Sequence, residues 1–356
     1  MKPQQTSTRV TDMADAENED LEKGRRLAAH CSAYRHADTR QALFQLLSTI
    51  IPFFAITIAM TYLSQHALWA TLLLAIPAAG LLVRLFIIQH DCGHASFFPS
   101  RAANTAMGRL LSLLTLTPYD HWRRSHALHH ASSGNLDRRG VGDINTMTVR
   151  EYLALSRWRR LQYRLYRNPV ILFLIGVPFY FLIIHRFPFG APVSGNGGWR
   201  SIVALNIAIV CFYGLLMASI GVMPFVAAYI PVWIMATGIG GWLFFIQHQF
   251  EDAYWADEEN WDLQLAAIHG SSYYVLPRAL QWITGNIGLH HIHHLCSRIP
   301  NYRLQECMND CPELEYVSPR LTLWESIKCA RLSLWDEDTR KLIGFGDLEV
   351  DAAAHA

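Results

Sequence analysis

Eight histidines fall into three short clusters whose spacing could bring their imidazoles together. The clusters are HDCGH (His90 and His94), HALHH (His126, His129 and His130) and HHIHH (His290, His293 and His294). Residues at i, i+3 and i+4 share one face of a helix, so each cluster directs two or three imidazoles toward one point. Three such faces that converge could hold two metal ions with roughly four nitrogen ligands each, and imidazole suits Fe, Zn, Cu and Ni alike.

Single polar residues near the clusters extend this candidate ligand set. His248, in QHQFEDAYW, follows a long apolar stretch. An ionisable residue at the end of a membrane helix is functional by default, so we predict His248 as a ninth ligand. The alternative is an interfacial histidine that reaches toward water. Asn286 lies four residues before His290 and could bind an ion directly or through water if that segment is helical. His121 and His291 fall off the shared faces, and we expect neither to bind metal.

Acidic residues beside the clusters could hold the ligand rings in place. A metal-bound histidine usually donates its second ring N–H to a carboxylate or a carbonyl oxygen. The neighbouring acids are Asp91, Asp120, Asp137, Asp143, Glu251 and Asp252. We prefer Asp143, in GDIN, and the Glu251–Asp252 pair for this role. The alternative for each of them is a solvated surface charge.

Long apolar stretches must position the clusters at a membrane. The composition is 51% hydrophobic and only 17% charged, and a spanning helix needs about 20 mostly apolar residues. The stretches are Ala42–Leu63, Ala67–Ile88, Pro169–Ile184, Ile202–Ile220 and Val222–Ile246. Basic residues are concentrated before the first stretch, and the short loop after it has no Lys or Arg. The positive-inside rule therefore places the N-terminus and the first cluster in the cytoplasm.

The third cluster can join the other two only if an even number of crossings separates them. Pro169–Ile184 is the shortest stretch and is interrupted by Gly176 and Pro178. We therefore predict that it is a re-entrant or interfacial element. The predicted fold class is all-α, with a four-helix membrane core of two hairpins and a cytoplasmic helical cap that carries the metal site.

The remaining composition bounds the domains and the partners. We predict a cytoplasmic N-terminal tail at residues 1–40, disordered over Met1–Glu22, one domain at 41–335 and a C-terminal tail at 336–356. A net charge of +1 argues against a nucleic-acid partner. The seven cysteines form no CxxC pair, and several flank clusters expected in the reducing cytoplasm, so disulfides are not expected.

The histidine clusters and their flanks resemble one known family, the membrane fatty acid desaturases. HDCGH, HALHH, HHIHH and QHQFEDAYW carry the resemblance, together with WRRSHALHHASSGNLD, GDIN and GNIGLHHIHHLCSRIPNY. It extends from about Gln41 to Cys307 and is closest to the Δ12/ω-6 acyl-lipid branch. The first cluster has three residues between its histidines, whereas membrane stearoyl-type Δ9 enzymes usually have four.

The resemblance implies a chemistry that the residue types alone leave open. Two non-haem iron ions would activate O2 and remove two hydrogens from an unactivated acyl chain, which redox-inert zinc cannot do. The substrate would be a membrane acyl-lipid, and the electron donor would be ferredoxin or a cytochrome b5-like protein. The enzyme would reside in a bacterial inner membrane, with its catalytic face toward the cytoplasm.

Several alternatives stay open at the level of sequence. The same metal centre could hydroxylate a chain or act as an acetylenase, because only substrate placement differs. The acyl chain could be attached to a carrier protein instead of a glycerolipid. A metal transporter would need histidines inside the spans along a path, whereas the apolar stretches here contain no histidine and only Arg84 as a charged residue.

Overall fold

Helices make up most of the chain in the computed structural model, which describes residues 4–140, 142–187 and 196–348. The helices up to His248 are α1 (Gln4–Cys31), α2 (Thr39–Leu63), α3 (Leu68–Gly93), α4 (Arg101–Thr115), α5 (Tyr119–Ser132), α6 (Val149–Ala154), α7 (Arg157–Arg167), α8 (Pro169–Ile171), α9 (Val177–Leu182), α10 (Asn196–Ile220) and α11 (Val222–His248). The helices that follow are α12 (Leu263–His269), α13 (Arg278–Ile283), α14 (His290–Leu295), α15 (Asn301–Asn309) and α16 (Leu323–Cys329). A π-helical turn (Leu172–Gly176) joins α8 to α9.

Five short strands lie between the helices, the first between α5 and α6 and the other four after α12. They are β1 (Met147–Thr148), β2 (Tyr273–Val275), β3 (Arg320–Thr322), β4 (Leu332–Asp336) and β5 (Lys341–Gly344). The first sheet has the order β1-β4-β5, with β1 parallel and β5 antiparallel to β4, and the second pairs β2 with β3 in parallel.

Five helical segments are long and apolar enough to cross a membrane. They are Thr39–Leu63, Leu68–Gly93, Pro169–Arg186, Gly198–Ile220 and Val222–His248. The most apolar part of α3 is 67% buried inside the protein, whereas the corresponding parts of the other four segments are 17–33% buried. Helix α3 is therefore the centre of the bundle, and the surrounding helices turn apolar side chains outward, as a lipid environment requires. The predicted helical membrane fold is confirmed.

Helices α3 and α11 both continue beyond their apolar parts, and each has a candidate ligand histidine at its end. Helix α3 ends at Gly93 with His94 as its C-cap, and α11 ends at His248. Helix α5 is held against α3 by Tyr119, whose hydroxyl donates a 2.7 Å hydrogen bond to the carbonyl oxygen of Cys92. The Tyr119 ring packs so closely on Gly108 that a Cβ there would overlap it, so only glycine allows this contact.

The segment Pro169–Arg186 contacts several other helices near their histidine-bearing ends. Its ring contacts include Phe173 with Phe245 (5.4 Å between centroids), Phe181 with Phe86 (6.0 Å) and His185 with His121 (6.4 Å). Each of these partners lies three to five residues before a clustered histidine or His248. This pattern favours a segment that lies along the membrane surface, and the number of crossings stays a prediction.

Both predicted tails differ from the structure. Residues 4–31 form α1, and its buried Leu27 and Cys31 pack in an apolar cluster with Leu265 of α12 and Ile292 of α14. Apolar contacts therefore hold the C-terminal part of α1 against α12 and α14. At the other end, β5 pairs with β4 and buries Leu342, so the folded domain extends beyond residue 335. Residues 1–3 and 349–356 lie outside the described part of the chain.

Candidate metal centre

The structure brings all nine predicted histidines together in two groups. The first group contains His90 and His94 at the end of α3, His126 and His130 on α5, and His293 on α14. The second contains His129 on α5, His248 at the end of α11, and His290 and His294 on α14. Within each group the candidate ligand nitrogens lie within 4.8 Å of one another. Four separate helices thus supply the ligands, and α5 and α14 contribute to both groups.

The Nε2 atoms of neighbouring rings are about as far apart as ligands of a shared ion. In the second group the Nε2–Nε2 distances are 3.2 Å (His129 and His248), 2.9 Å (His248 and His290) and 3.1 Å (His290 and His294). In the first group they are 3.1 Å for His126 with His130 and 3.1 Å for His130 with His293. Two nitrogens roughly 2.1 Å from one ion and about at right angles would be about 3.0 Å apart.

Three rings have a hydrogen-bond acceptor at Nδ1, which fixes their tautomer. His129 Nδ1 contacts the Asp143 carboxylate. His248 Nδ1 lies 2.9 Å from the Gly270 carbonyl oxygen, and His90 Nδ1 lies 3.0 Å from Asp91 Oδ1. Each acceptor requires a proton on Nδ1, so Nε2 presents its lone pair to the group. This is the usual arrangement around metal-binding histidines.

These hydrogen bonds test whether a metal ion fits the site. His129 and His248 both donate from Nδ1, so their two Nε2 atoms face each other at 3.2 Å as acceptors without a proton between them. A cation between the rings would satisfy both lone pairs. His94 Nε2 is also buried without a hydrogen-bond partner among the described residues. The donor set therefore fits two metal ions with imidazole ligands.

The histidines are held in the neutral form that binds metal. Among the ligand candidates outside the membrane-spanning segments, burial lowers the pKa of six rings well below the usual value, and the neighbouring imidazoles lower it further. The six are His94, His126, His130, His290, His293 and His294. A protonated imidazole has no lone pair to give, so this environment favours metal binding at neutral pH.

Aromatic side chains border the two groups. The Trp122 ring stacks on His126 with 4.6 Å between centroids and 15° between planes. Phe244 contacts His129 at 5.1 Å and His248 at 5.5 Å. These rings restrict how the imidazoles can turn, and they give the space beside them an apolar wall.

The other predicted site residues have different outcomes. Asp143 reaches a clustered histidine, as preferred from the sequence, whereas Glu251 and Asp252 are exposed and pair with Lys341. Those two were wrong as supports for the ligands, because the chain turns away from the site after His248. Asp91 has that role instead, and Asn301 holds it through hydrogen bonds of 2.6 and 2.8 Å to Oδ2.

The remaining polar candidates lie away from the two groups. Asn286 precedes α14, has a φ of 57°, and donates its amide to the Asn301 carbonyl oxygen, so the helical alignment with His290 does not occur. His291 bonds the Leu314 carbonyl oxygen at 2.8 Å, and His121 is buried against His185. The hydrogen bond between His248 and the Gly270 carbonyl oxygen could not be predicted from the sequence. The acceptor is a backbone atom, so no side-chain pattern indicates it.

Comparison with known proteins identifies the family. The profile of the family described as fatty acid desaturase matches residues 67–321. The chain belongs to the fatty acid desaturase family. It is 43% identical over 328 residues, covering 91% of both chains, to a protein named fatty acid desaturase from Bacillus subtilis (strain 168). It is an integral membrane enzyme of the desaturase type that acts on acyl chains.

More distant relatives carry more specific names. The chain is 26% identical to the sn-1 acyl-lipid omega-3 desaturase (ferredoxin) of Synechocystis sp. (strain ATCC 27184 / PCC 6803 / Kazusa), covering 62% of this chain and 61% of that one. It is 23% identical to the sn-1 oleoyl-lipid 12-desaturase of Anabaena variabilis, covering 74% and 73%. These relatives place double bonds at different positions, so membership of the family does not decide the position.

Proposed function

We propose that this enzyme is an O2-dependent di-iron desaturase of membrane acyl-lipids, of the Δ12/ω-6 type. The observation that carries the proposal is the pair of facing histidine groups, in which Nδ1 hydrogen bonds aim Nε2 lone pairs at common points. Iron is the metal of this set that suits both imidazole ligation and O2 chemistry in the family. When bound, the two irons would supply the oxidant that removes two hydrogens from the acyl chain.

The protein side chains have three tasks in this reaction. The nine histidines bind the metal, and Asp143, Asp91 and the Gly270 carbonyl hold the protons on Nδ1 and so orient three of the rings. Six of the nine histidines, including His129 and His290, are buried, which limits their contact with bulk water. Trp122 and Phe244 offer an apolar surface to an acyl chain that must lie with one pair of methylenes beside the ions.

The Δ12/ω-6 position is the most specific part of the proposal. It is supported by the three-residue spacing of the first cluster and by the oleoyl-lipid 12-desaturase of Anabaena variabilis among the relatives. An omega-3 position is the competing assignment, and the names of other relatives support it. The acyl-lipid substrate, as opposed to a carrier-bound chain, likewise rests on the names of these relatives.

The membrane side and the electron donor follow from charge. Exposed arginines such as Arg157 and Arg159 of α7 lie on the surface of the cap, and the positive-inside rule assigns this surface to the cytoplasm of a bacterial inner membrane. An acidic ferredoxin or a cytochrome b5-like protein could dock there by charge complementarity. Two relatives have ferredoxin in their names, so we propose ferredoxin as the first donor to test.

Expression in a host that lacks the corresponding double bonds tests the proposal. We expect new unsaturated fatty acids, with the double bond twelve carbons from the carboxyl end, in the membrane lipids. Gas chromatography with mass spectrometry of derivatised esters locates the bond. A His129→Ala variant serves as the inactive control. New hydroxylated or acetylenic products would instead favour those two alternative reactions, and product confined to carrier-bound chains would reject the acyl-lipid substrate.

A further inference from the structure

A second polar site lies outside the two histidine groups, in a cleft of about 940 Å³. Helices α2, α3, α13 and α15 line it near the histidine-bearing end of α3. Its lining includes three arginines, Arg40, Arg84 and Arg278, and contains no carboxylate. In the parts of the chain whose side chains are described, none of the three arginines forms an ion pair. The cleft therefore carries a net positive charge that the protein leaves uncompensated.

Arg84 is the most unusual of these residues. It is only 6% exposed although it belongs to the central apolar helix α3. Its Nε donates to Thr49 Oγ1 at 3.1 Å, Nη1 donates to the Trp282 carbonyl oxygen, and the guanidinium lies 4.2 Å from the centroid of the Trp282 ring. No hydrogen bond of Nη2 occurs among the described residues. A buried charge without a counter-ion is costly in a membrane protein, so it marks a binding function.

A buried acceptor in the same cleft gives an independent indication of a ligand. Asn301 donates its amide to Asp91, so its Oδ1 must accept, and Gln45 Nε2 donates to it at 2.7 Å. This chain of donors fixes the orientation of the Gln45 amide. Gln45 Oε1 is then a buried acceptor with no partner among the described residues. It would accept a hydrogen bond from a ligand hydroxyl or from a water beside it.

The surroundings of the cleft distinguish a lipid from a protein partner. Arg84 is only 6% exposed and lies within the apolar helix α3, so a carboxylate on a folded electron donor has little access to it. Phe44, 73% exposed, and Trp282, 43% exposed, line the cleft and offer apolar surface to lipid chains. Basic pockets between membrane helices on the cytoplasmic side suit lipid phosphates.

We infer that this cleft binds the phosphate of a membrane glycerophospholipid and holds the head group of the substrate. The inference rests on the proposed acyl-lipid function and names its substrate class. The guanidinium groups would bind phosphate oxygens, and Gln45 Oε1 would accept from a glycerol hydroxyl. The same Asn301 that holds Gln45 also holds Asp91 and, through it, His90. The head group and the metal site would therefore share one rigid hydrogen-bonded wall.

Binding of short-chain lipids to the purified enzyme tests this inference without requiring activity. We expect dihexanoyl phosphatidylglycerol to bind at least tenfold more tightly than dihexanoylglycerol, which lacks the phosphate. The double variant Arg40→Gln/Arg278→Gln should lose roughly threefold to tenfold in affinity for the phospholipid, because both guanidinium groups are exposed and partly screened. Its affinity for dihexanoylglycerol should not change.

Two further variants separate a lipid site in the cleft from a general attraction between basic surfaces and anionic lipid. Arg101→Gln removes an exposed arginine of α4 that does not line the cleft, and it should bind both lipids like the wild type. Arg84→Gln should weaken phospholipid binding more than the double variant does, and the double variant decides the question if Arg84→Gln does not fold. Equal affinity of the wild type for the two lipids would overturn the inference. So would displacement of the lipid by inorganic phosphate at equal concentration.

A fixed head group also has a consequence for the product. Because the carboxyl end of the chain would be anchored, the enzyme should place the double bond at a constant number of carbons from that end in both C16 and C18 chains. A position constant from the methyl end would contradict head-group anchoring. If the enzyme binds the phospholipid more tightly than dihexanoylglycerol but does not desaturate, the proposed function alone is rejected. If it desaturates but binds the two lipids equally, the head-group site alone is rejected.

Discussion

The contact between His129 and Asp143 decides which ring nitrogen faces the metal. Asp143 accepts a hydrogen bond from the Nδ1–H of His129 and is itself mostly buried. Asp143→Asn replaces the carboxylate by an amide that can present either a donor or an acceptor, so the tautomer is no longer fixed. We expect a loss of about 10–100-fold in metal affinity or activity, the usual effect of removing such a partner. Titration of the apoprotein with Fe(II) measures it.

The matched control for Asp143 is an acid that lies near a ligand in sequence but not in contact with one. Glu251 follows His248 by three residues, is exposed, and pairs with Lys341. Glu251→Gln should keep metal affinity within about twofold of the wild type, since an exposed ion pair contributes little. Equal losses in the two variants would show that Asp143 does not act through His129.

His248 differs from the eight clustered histidines because it belongs to no HxxHH or HxxxH motif. Its Nε2 lies 2.9 Å from that of His290 and 3.2 Å from that of His129. His248→Ala should therefore lose most of the desaturation and about one of two bound irons, while membrane insertion persists. Metal analysis of the purified protein gives the iron content, and fatty acid profiling gives the activity.

His291 provides the comparison, because it is a buried histidine of the third cluster that binds a carbonyl oxygen instead of facing the site. His291→Ala leaves the Leu314 carbonyl unpaired, which costs about 1–3 kcal/mol of folding stability. Its iron content per folded protein should nevertheless match that of the wild type. Loss of iron in both variants would reject the ligand assignment around α14.

The residues that the sequence could identify are those whose role follows from local spacing. The i, i+3, i+4 pattern places each cluster on one helical face whatever the rest of the fold does. Asp91, by contrast, is recognisable as a support only once Asn301 of the distant helix α15 is seen to bind it. The Gly270 carbonyl carries no side-chain signal at all. Contacts between distant segments therefore leave no local pattern from which they could be predicted.

Among the helical elements, Pro169–Arg186 decides the topology. It is apolar enough to span a membrane, yet its ring contacts keep it beside the histidine-bearing ends of α3, α5 and α11. Reporter fusions after His66 and after Gly221 should report the non-cytoplasmic side, and fusions after Gly140 and after Arg298 should report the cytoplasm. A fusion near Phe189, which lies outside the described residues, should also read cytoplasmic. A non-cytoplasmic signal there would contradict the four-span topology.

Element prediction succeeded where hydropathy dominates and failed where packing does. The long apolar helices follow from composition, because only a helix satisfies its own backbone in lipid. The strands β1 and β4 are short, and they pair positions 147–148 with 334–335. Because the partners are far apart in the sequence, no local pattern predicts them. Helix α1 is likewise anchored through Leu27 and Cys31. Because the composition of this segment is polar, the sequence did not predict that it packs on the folded domain.

At the scale of the whole molecule, the proposed metal site joins elements that are far apart in the chain. Its candidate ligands come from α3, α5, α11 and α14, and α1 packs against α14. Because ligands that bind only the folded state stabilise it, saturating metal adds about 2.7 kcal/mol at 100 times the dissociation constant. Chelation should therefore lower the melting temperature of the whole protein and should not merely abolish activity.

The stabilisation of the fold by bound metal should depend on pH in a defined direction. Burial and neighbouring imidazoles lower the pKa of His94, His126, His130, His290, His293 and His294. In the unfolded chain the same groups take up protons below about pH 6.5, so the folded state binds fewer protons there and loses stability as the pH falls. Above about pH 6.5 these rings are neutral in both states and contribute no pH dependence.

Iron content and melting temperature, measured after equilibration between about pH 8 and pH 5, should stay level at first and then fall together. Iron content that stays constant down to about pH 5 would contradict ligation by these histidines. A melting temperature that falls at the same pH in the chelated, metal-free wild type would show that proton uptake by the histidines destabilises the fold even without metal.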